Sequence, residues 1–182
     1  MSTLTPHNAY WAVAHSILAG EYPGDRDPAK ARAKLTTFLD SGVRAFLDLT
    51  HAGELAPYEH LLADLARERG LMVEHRRMPI RDVDVPRTPD EMRAILAQLR
   101  AWIDNGQPAY VHCWGGVGRT GTVIGCWFVE QGATGEAALA HLARLWQGMS
   151  ADKLRRKPHS PETEAQRDYI RKWRATNAGH CP

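Results

Sequence analysis

One cysteine and one arginine stand at the two ends of a short run of small residues, Cys113-Trp114-Gly115-Gly116-Val117-Gly118-Arg119. Apolar Ala109 to Val111 lead in and an apolar run from Thr122 to Val129 leads out, so the pattern predicts a strand, a tight glycine-rich turn and then a helix. Such a loop suits a dianionic phosphate. Glycines 115, 116 and 118 let the backbone curl so that successive N–H groups point at one anion. A helix starting near Gly118 adds its unpaired N-terminal donors and the positive end of its dipole. Arg119 offers a planar fork that can grip two phosphate oxygens at once.

That positive field favours Cys113 as a thiolate, the nucleophilic form of cysteine. A thiolate beside a bound phosphate is positioned for in-line attack on phosphorus, which would give a phospho-cysteine intermediate. Thr120 can donate its hydroxyl to the sulfur, steadying it as nucleophile and again as leaving group. His112, by its backbone or its ring, is expected to hold the loop and support the thiolate.

At these residues the chain resembles the protein tyrosine phosphatase superfamily, whose motif is His-Cys, five residues, then Arg and Ser/Thr. The small size and the wording of residues 112–123 are most similar to the dual-specificity branch, which acts on phosphotyrosine, phosphoserine and phosphothreonine, and particularly to its compact microbial members. Cys-x5-Arg also occurs in rhodanese-like phosphatases and arsenate reductases, so the motif alone leaves the fold open. The resemblance implies a cysteine-dependent phosphomonoesterase, with Trp114, Gly115, Gly116, Val117 and Gly118 around the substrate phosphate.

Such an enzyme benefits from a general acid that protonates the leaving oxygen and then, as base, activates water. Asp82 follows Pro79-Ile80 at a strand end, which resembles the family's general-acid loop; Asp84, two positions on, is the alternative. Against both stands the reading of two solvated turn aspartates. Ser160-Pro161-Glu162-Thr163-Glu164-Ala165-Gln166 resembles the family's late glutamine segment, which places water for the second step. The first glutamine of that pattern falls on Glu162 here, leaving Gln166 as the only amide, against the plainer reading of an exposed glutamine at a helix start.

The elements that must position these residues are legible as an alternation. Trp11 to Val13 and Ile17 to Ala19 read as short strands, Val43 to Leu49 as a buried strand, and Leu71 to Ile80 as another. Asp27-Pro28 caps a helix running to about Asp40, Pro57 opens one through Arg69, and Thr88-Pro89-Asp90-Glu91 combines a capping box with a helix-opening proline. Past the loop, Thr122 to Gln131 is a nearly all-apolar helix and therefore central, and Thr134 starts another. Lys153 to Lys157 reads as a basic link, and Ser160-Pro161 as the start of the last helix. The expected fold is α/β: a single domain over 1–182, with a mostly parallel central sheet flanked by helices.

Composition narrows the partners. A net charge of only +2 gives no global attraction to nucleic acid, and the cluster Arg155-Arg156-Lys157 reads as a solvated link without interleaved aromatics. No run approaches the ~20 apolar residues of a membrane span. The histidines at 7, 15, 51, 60, 75, 141, 159 and 180 show no metal-ligand spacing, and Arg119 with the backbone amides takes the part of a cation, so neither metal nor cofactor is expected. Three cysteines make no disulfide framework: Cys126 reads as core, Cys181 as a frayed end, and a reactive Cys113 favours the reducing cytosol. The expected molecule is a cytoplasmic monomer acting on a phosphorylated protein or a small phosphomonoester.

Arg76, Arg77, Arg81 and Arg87 flank the acid loop and are candidates to meet an anionic substrate, although strand alternation sends the first two to opposite faces. None of positions 114–118 is basic, which argues against a highly phosphorylated inositol lipid, where loop lysines would help. A phosphatase of small molecules stays open as an alternative. So does a non-catalytic phosphate-binding module, although such proteins commonly lose the cysteine, the arginine or the acid. A redox or arsenate-reducing thiol enzyme would want a resolving cysteine, and Cys126 lies several turns along a buried helix.

Overall fold

The computed structural model describes residues 5–175, so Cys181 and His180 lie outside the described residues. Strands β1 (Ala9–Val13) and β2 (Ile17–Gly20) form an antiparallel pair, and β2 then joins a parallel set with β3 (Ala45–Asp48), β4 (Glu74–Arg77) and β5 (Ala109–His112). The order across the sheet is β1-β2-β5-β3-β4. Parallel neighbours need crossovers, and helices α1 (Pro28–Asp40), α2 (Glu59–Glu68) and α3 (Pro89–Asp104) supply them. The mostly parallel α/β sheet expected from the alternation is the one observed.

β5 lies in the middle of the sheet and is buried along its whole length. Its alternation sorts side chains between two cores. Tyr110 belongs to the one under α1 and α2, with Phe38, Phe46 and Tyr58. Val111 and Cys113 belong to the other, with residues of α3 and of α4 (Gly118–Glu130). Every residue of α4 from Gly118 to Val129 is buried, because α5 (Gly135–Trp146) and α7 (Glu164–Lys172) pack on it as the sheet does. The edge strand β4, by contrast, reads Glu-His-Arg-Arg and alternates exposed with half-buried, a charged rim suited to an unpaired edge.

The strands β3 and β4 are shorter than their apolar runs, α2 starts at Glu59 rather than at Pro57, and three local features differ from the sequence reading. The segment around Lys153 is not a link but a short helix, α6 (Ala151–Arg156), whose Ser150 hydroxyl accepts from the Lys153 N–H at 3.2 Å. The last helix starts at Thr163 rather than at Ser160-Pro161: Thr163 Oγ1 accepts from the Gln166 N–H while Gln166 Oε1 accepts from the Thr163 N–H, a full capping box. At α3 only half of the anticipated box forms. Thr88 Oγ1 accepts from the Glu91 N–H, but the Glu91 carboxylate takes the Arg87 N–H instead of that of Thr88.

Candidate active site

The turn between β5 and α4 is held from outside at two backbone carbonyls. The Tyr22 N–H donates to Trp114 O at 2.9 Å, and the Ser160 hydroxyl donates to Val117 O at 2.8 Å. Gly116 has φ +70, and a Cβ built there would lie 2.3 Å from the carbonyl carbon of Gly20, so both its torsion and its packing require glycine. The loop is thus pressed onto the end of β2. Cys113 is buried at the carboxyl end of β5, and the N-terminus of α4 opens just beyond it.

Arg119, in the first turn of α4, is only 1% exposed, yet its guanidinium is richly bonded. Nη1 donates to Leu49 O, Ile80 O and Glu54 Oε2 (3.0 Å), and Nη2 donates to Glu54 Oε1 at 2.6 Å. Asp82 Oδ1 sits 2.9 Å from Nη2. Glu54 therefore takes the end of the fork, Asp82 lies at its side, and the buried Nε–H has no partner among the described residues. Burial works against the Arg119 charge, but Glu54, aided by Cys113 and Asp82, outweighs it and holds the guanidinium more firmly protonated than usual. Burial likewise pushes the Glu54 carboxyl up, and the Arg119 bonds and the His51 N–H bring it below its ordinary range. Glu54 had no local mark in the sequence. The signal that existed was indirect: an arginine forced into the core needs a carboxylate.

Behind the loop, His112 is fully buried with Nε2 2.7 Å from the Tyr58 hydroxyl and Nδ1 3.2 Å from Cys113 O. Because a carbonyl only accepts, Nδ1 carries the proton and Nε2 accepts from Tyr58. Burial brings the His112 pKa down to about 4, against the pull of Asp48, so the ring is neutral. Asp48 is buried as well. Desolvation pushes its carboxyl up, but the nearby His75 and His112 rings and the Thr50 donors outweigh that and hold it well below the usual carboxylate range. Arg77 pairs with Asp48 at 3.0 Å and with Glu59 at 2.5 Å. Ligand atoms of Asp48, Glu59 and His75 lie within 4.8 Å of one another, and Arg77 supplies positive charge to that cluster.

A cleft of about 550 Å³ opens over the loop, lined by Cys113, Trp114, Gly115, Val117, Gly118 and Arg119, with Asp82 and Val83 on its wall. Of the five loop positions expected around a phosphate, Gly116 alone is turned away, against Gly20. Asp84 is not on the cleft: its carboxylate accepts from the Val85 N–H. Val83, between the two aspartates, has φ +54, a conformation that branched side chains rarely adopt, and its side chain is exposed. Thr120 is buried, and among the described residues its hydroxyl makes no hydrogen bond, to Cys113 Sγ or to any other group. Gln166 is fully buried rather than exposed. Its Nε2 donates to Asp84 O at 3.0 Å, and it fits against Gly118, where an added Cβ would come within 2.8 Å of the amide.

The arginines flanking the acid loop do not reach this cleft. Arg77 is committed to Asp48 and Glu59, and Arg76, Arg81 and Arg87 are not among its walls. Its cations come from elsewhere: Lys34 of α1, Lys153 and Arg156 of α6, and Lys157, the last three drawn from the stretch read in the sequence as a solvated link. Cys126 is buried in α4, and desolvation pushes its thiol well up.

Comparison with solved structures gives the class. Kinase associated phosphatase, crystallised with its catalytic-site cysteine replaced by serine, superposes with a TM-score of 0.69 at 19% identity, each chain covering 100% of the other. The fold is that of the cysteine-based protein tyrosine phosphatases. Among curated proteins, the human receptor-type tyrosine-protein phosphatase H is 50% identical over 46 residues, or 24% of this chain. The Arabidopsis thaliana phosphatidylinositol 3,4,5-trisphosphate 3-phosphatase and protein-tyrosine-phosphatase PTEN1 is 24% identical over 163 residues, 88% of this chain. The chain spans 4% and 36% of the length of these two relatives. Residues 22–133 match the Tc-R-P family, described as polymorphic toxin system, DSP-PTPase phosphatase, and the chain belongs to that family.

Proposed function

We propose that this chain hydrolyses phosphomonoesters through a phospho-cysteine intermediate, with phosphoproteins or small phosphate esters as substrates. The observation that carries the reading is the convergence of Cys113, Arg119 and Asp82 on one cleft at the N-terminus of α4. The substrate dianion enters the ring of loop N–H groups and takes the side of the Arg119 fork now held by Asp82. Displaced from the guanidinium, Asp82 stands beside the ester oxygen and serves as the general acid. The Cys113 thiolate attacks phosphorus, the ester P–O bond breaks, and Asp82 gives its proton to the departing oxygen. Asp82 then accepts a proton from water as that water attacks phosphorus; the S–P bond breaks, inorganic phosphate leaves and the thiolate returns.

Arg119 stabilises the charge on the equatorial oxygens in both steps, and Glu54 keeps its fork oriented. His112 acts as a neutral strut under Cys113, and Thr120, the residue after Arg119, is assigned the hydroxyl that steadies the sulfur. Gln166 ties the acid loop to the phosphate loop through Asp84 O, and its second amide hydrogen is the one available to a water. No step calls on a metal or cofactor. A thiolate nucleophile suits the reducing cytosol.

The test is phosphate release from an aryl phosphate by wild type, Cys113→Ser and Asp82→Ala, with and without chelator. The reading expects chelator-resistant turnover, abolished in Cys113→Ser and reduced about 100-fold or more in Asp82→Ala, the scale of a lost general acid. Absence of turnover in the wild type, with phosphate analogues still bound, would replace it by a phosphate-binding module.

A further inference from the structure

Resting on the phosphomonoesterase reading, we propose that the cleft carries a second anion subsite, formed by Lys153 with Arg156 and Lys157, which selects substrates bearing a second phosphate beside the one hydrolysed. The five loop residues between Cys113 and Arg119 include no cation. The cations come instead from α6 and the residue after it, folded over the mouth of the same cleft. Five cationic side chains line it against three carboxylates.

Lys153 is the centre of this patch. Its side chain is 8% exposed and its Nζ lies 2.8 Å from Glu21 Oε2. A Cβ built on Gly115 would stand 3.8 Å from that Nζ, so the ammonium reaches the shoulder of the phosphate loop itself. Burying an ammonium is costly unless it is paired, and Glu21, which also accepts from Asn8 Nδ2, provides the pair. Further out, Arg156 pairs with Asp152 and Lys157 with Glu162, with the two cationic side chains 66% and 46% exposed. Exposed ion pairs of this kind contribute little, so a phosphate dianion can recruit both cations at small cost. A single phosphate seated between Cys113 and Arg119 leaves this arc unused, and a substrate with a second phosphate fills it. The absence of basic residues from the loop therefore does not argue against polyphosphorylated substrates, because their counter-charge arrives from α6.

Binding separates this inference from the catalytic one. Calorimetry on the Cys113→Ser protein would compare an inositol monophosphate with an inositol bisphosphate, free and as the corresponding lipids in phosphatidylcholine vesicles. The expected result is at least roughly tenfold tighter binding of the bisphosphate, a preference that falls by about tenfold in Arg156→Ala/Lys157→Ala and in Lys153→Met. A preference in solution identifies a free compound, and one confined to vesicles identifies a headgroup; either supports the subsite. Equal affinity for mono- and bisphosphate, or a preference untouched in the exposed double variant, would overturn it. Failure of the wild type to release phosphate from any ester would remove the catalytic reading while leaving this binding result to stand or fall alone.

Discussion

Replacing Glu54 by alanine isolates what a carboxylate outside the phosphate loop contributes to the chemistry. Its two oxygens accept from Nη1 at 3.0 Å and from Nη2 at 2.6 Å of a guanidinium that is otherwise almost closed to solvent. Hydrogen bonds to charged groups contribute about 1.5–3 kcal/mol, and the backbone carbonyls of Leu49 and Ile80 still hold Nη1 after the change. The orientation of Nη2 is therefore what is lost, and the expected fall in kcat is about 10- to 100-fold. Removing a negative charge beside the anion site works the other way on binding, so KM should stay level or fall. Glu54→Gln keeps one acceptor and should lie between the two. Steady-state kinetics on an aryl phosphate, with circular dichroism to confirm folding, decides the matter. A kcat within twofold of wild type in Glu54→Ala would show that Arg119 is positioned without Glu54, and the argument would fail.

Folding stability should be acid-sensitive for a reason traceable to His112. Its pKa in the fold is about 4 against an ordinary 6.5, so below pH 6.5 the unfolded chain takes up a proton that the folded one refuses. Stability is then full above pH 6.5 and is lost as pH falls towards 4, by about 3 kcal/mol, with the depressed Asp48 adding to the loss below its ordinary value; urea midpoints unchanged between pH 7.5 and 4.5 would contradict this. Tyr58→Phe leaves His112 Nε2 buried without its donor and should cost about 1–3 kcal/mol in the same assay. Ser160→Ala leaves the buried Val117 carbonyl with only the longer bond from the Gly121 N–H (3.3 Å) and should lower both stability, by about 1 kcal/mol, and turnover, whereas a purely peripheral Ser160 would change neither. Gly116→Ala combines a left-handed torsion with a collision against Gly20, and should abolish phosphate binding even where the fold survives, as calorimetry with inorganic phosphate would show.

What could be read from the sequence was what is local in it. Strand, loop and helix from Ala109 to Glu130 are contiguous, and their spacing carries both chemistry and geometry. Asp27-Pro28 and Thr134 mark helix starts because a cap acts within three residues of itself. Asp82 was legible as a candidate for the same reason, standing just past a strand end. Glu54 was not, because its partner lies 65 residues on and nothing distinguishes it among 21 acidic residues until the chain is folded. The stretch from Ser150 to Lys157 carried a valid N-cap serine, but with Leu154 as its one apolar side chain after Ala151 it shows no periodicity, and its charges read as solvated. Ser160-Pro161 imitated a helix start, while the true cap, Thr163 with Gln166, stood three residues further on in the same segment. Tertiary placement also brings to the cleft what the loop lacks: cationic side chains from another helix, which no local pattern in the sequence joins to it.

The proposed mechanism turns on a covalent bond between phosphorus and one sulfur. Rapid acid quench of wild-type protein mixed with an aryl phosphate, followed by peptide mass spectrometry, reads that bond directly. A peptide containing Cys113 should be heavier by one phosphoryl group, accumulate in the first turnover, be more abundant in Gln166→Ala, where water is placed less well, and be absent in Cys113→Ala. Turnover at the wild-type rate in Cys113→Ala, or a phosphoryl group trapped only on another residue, would contradict it.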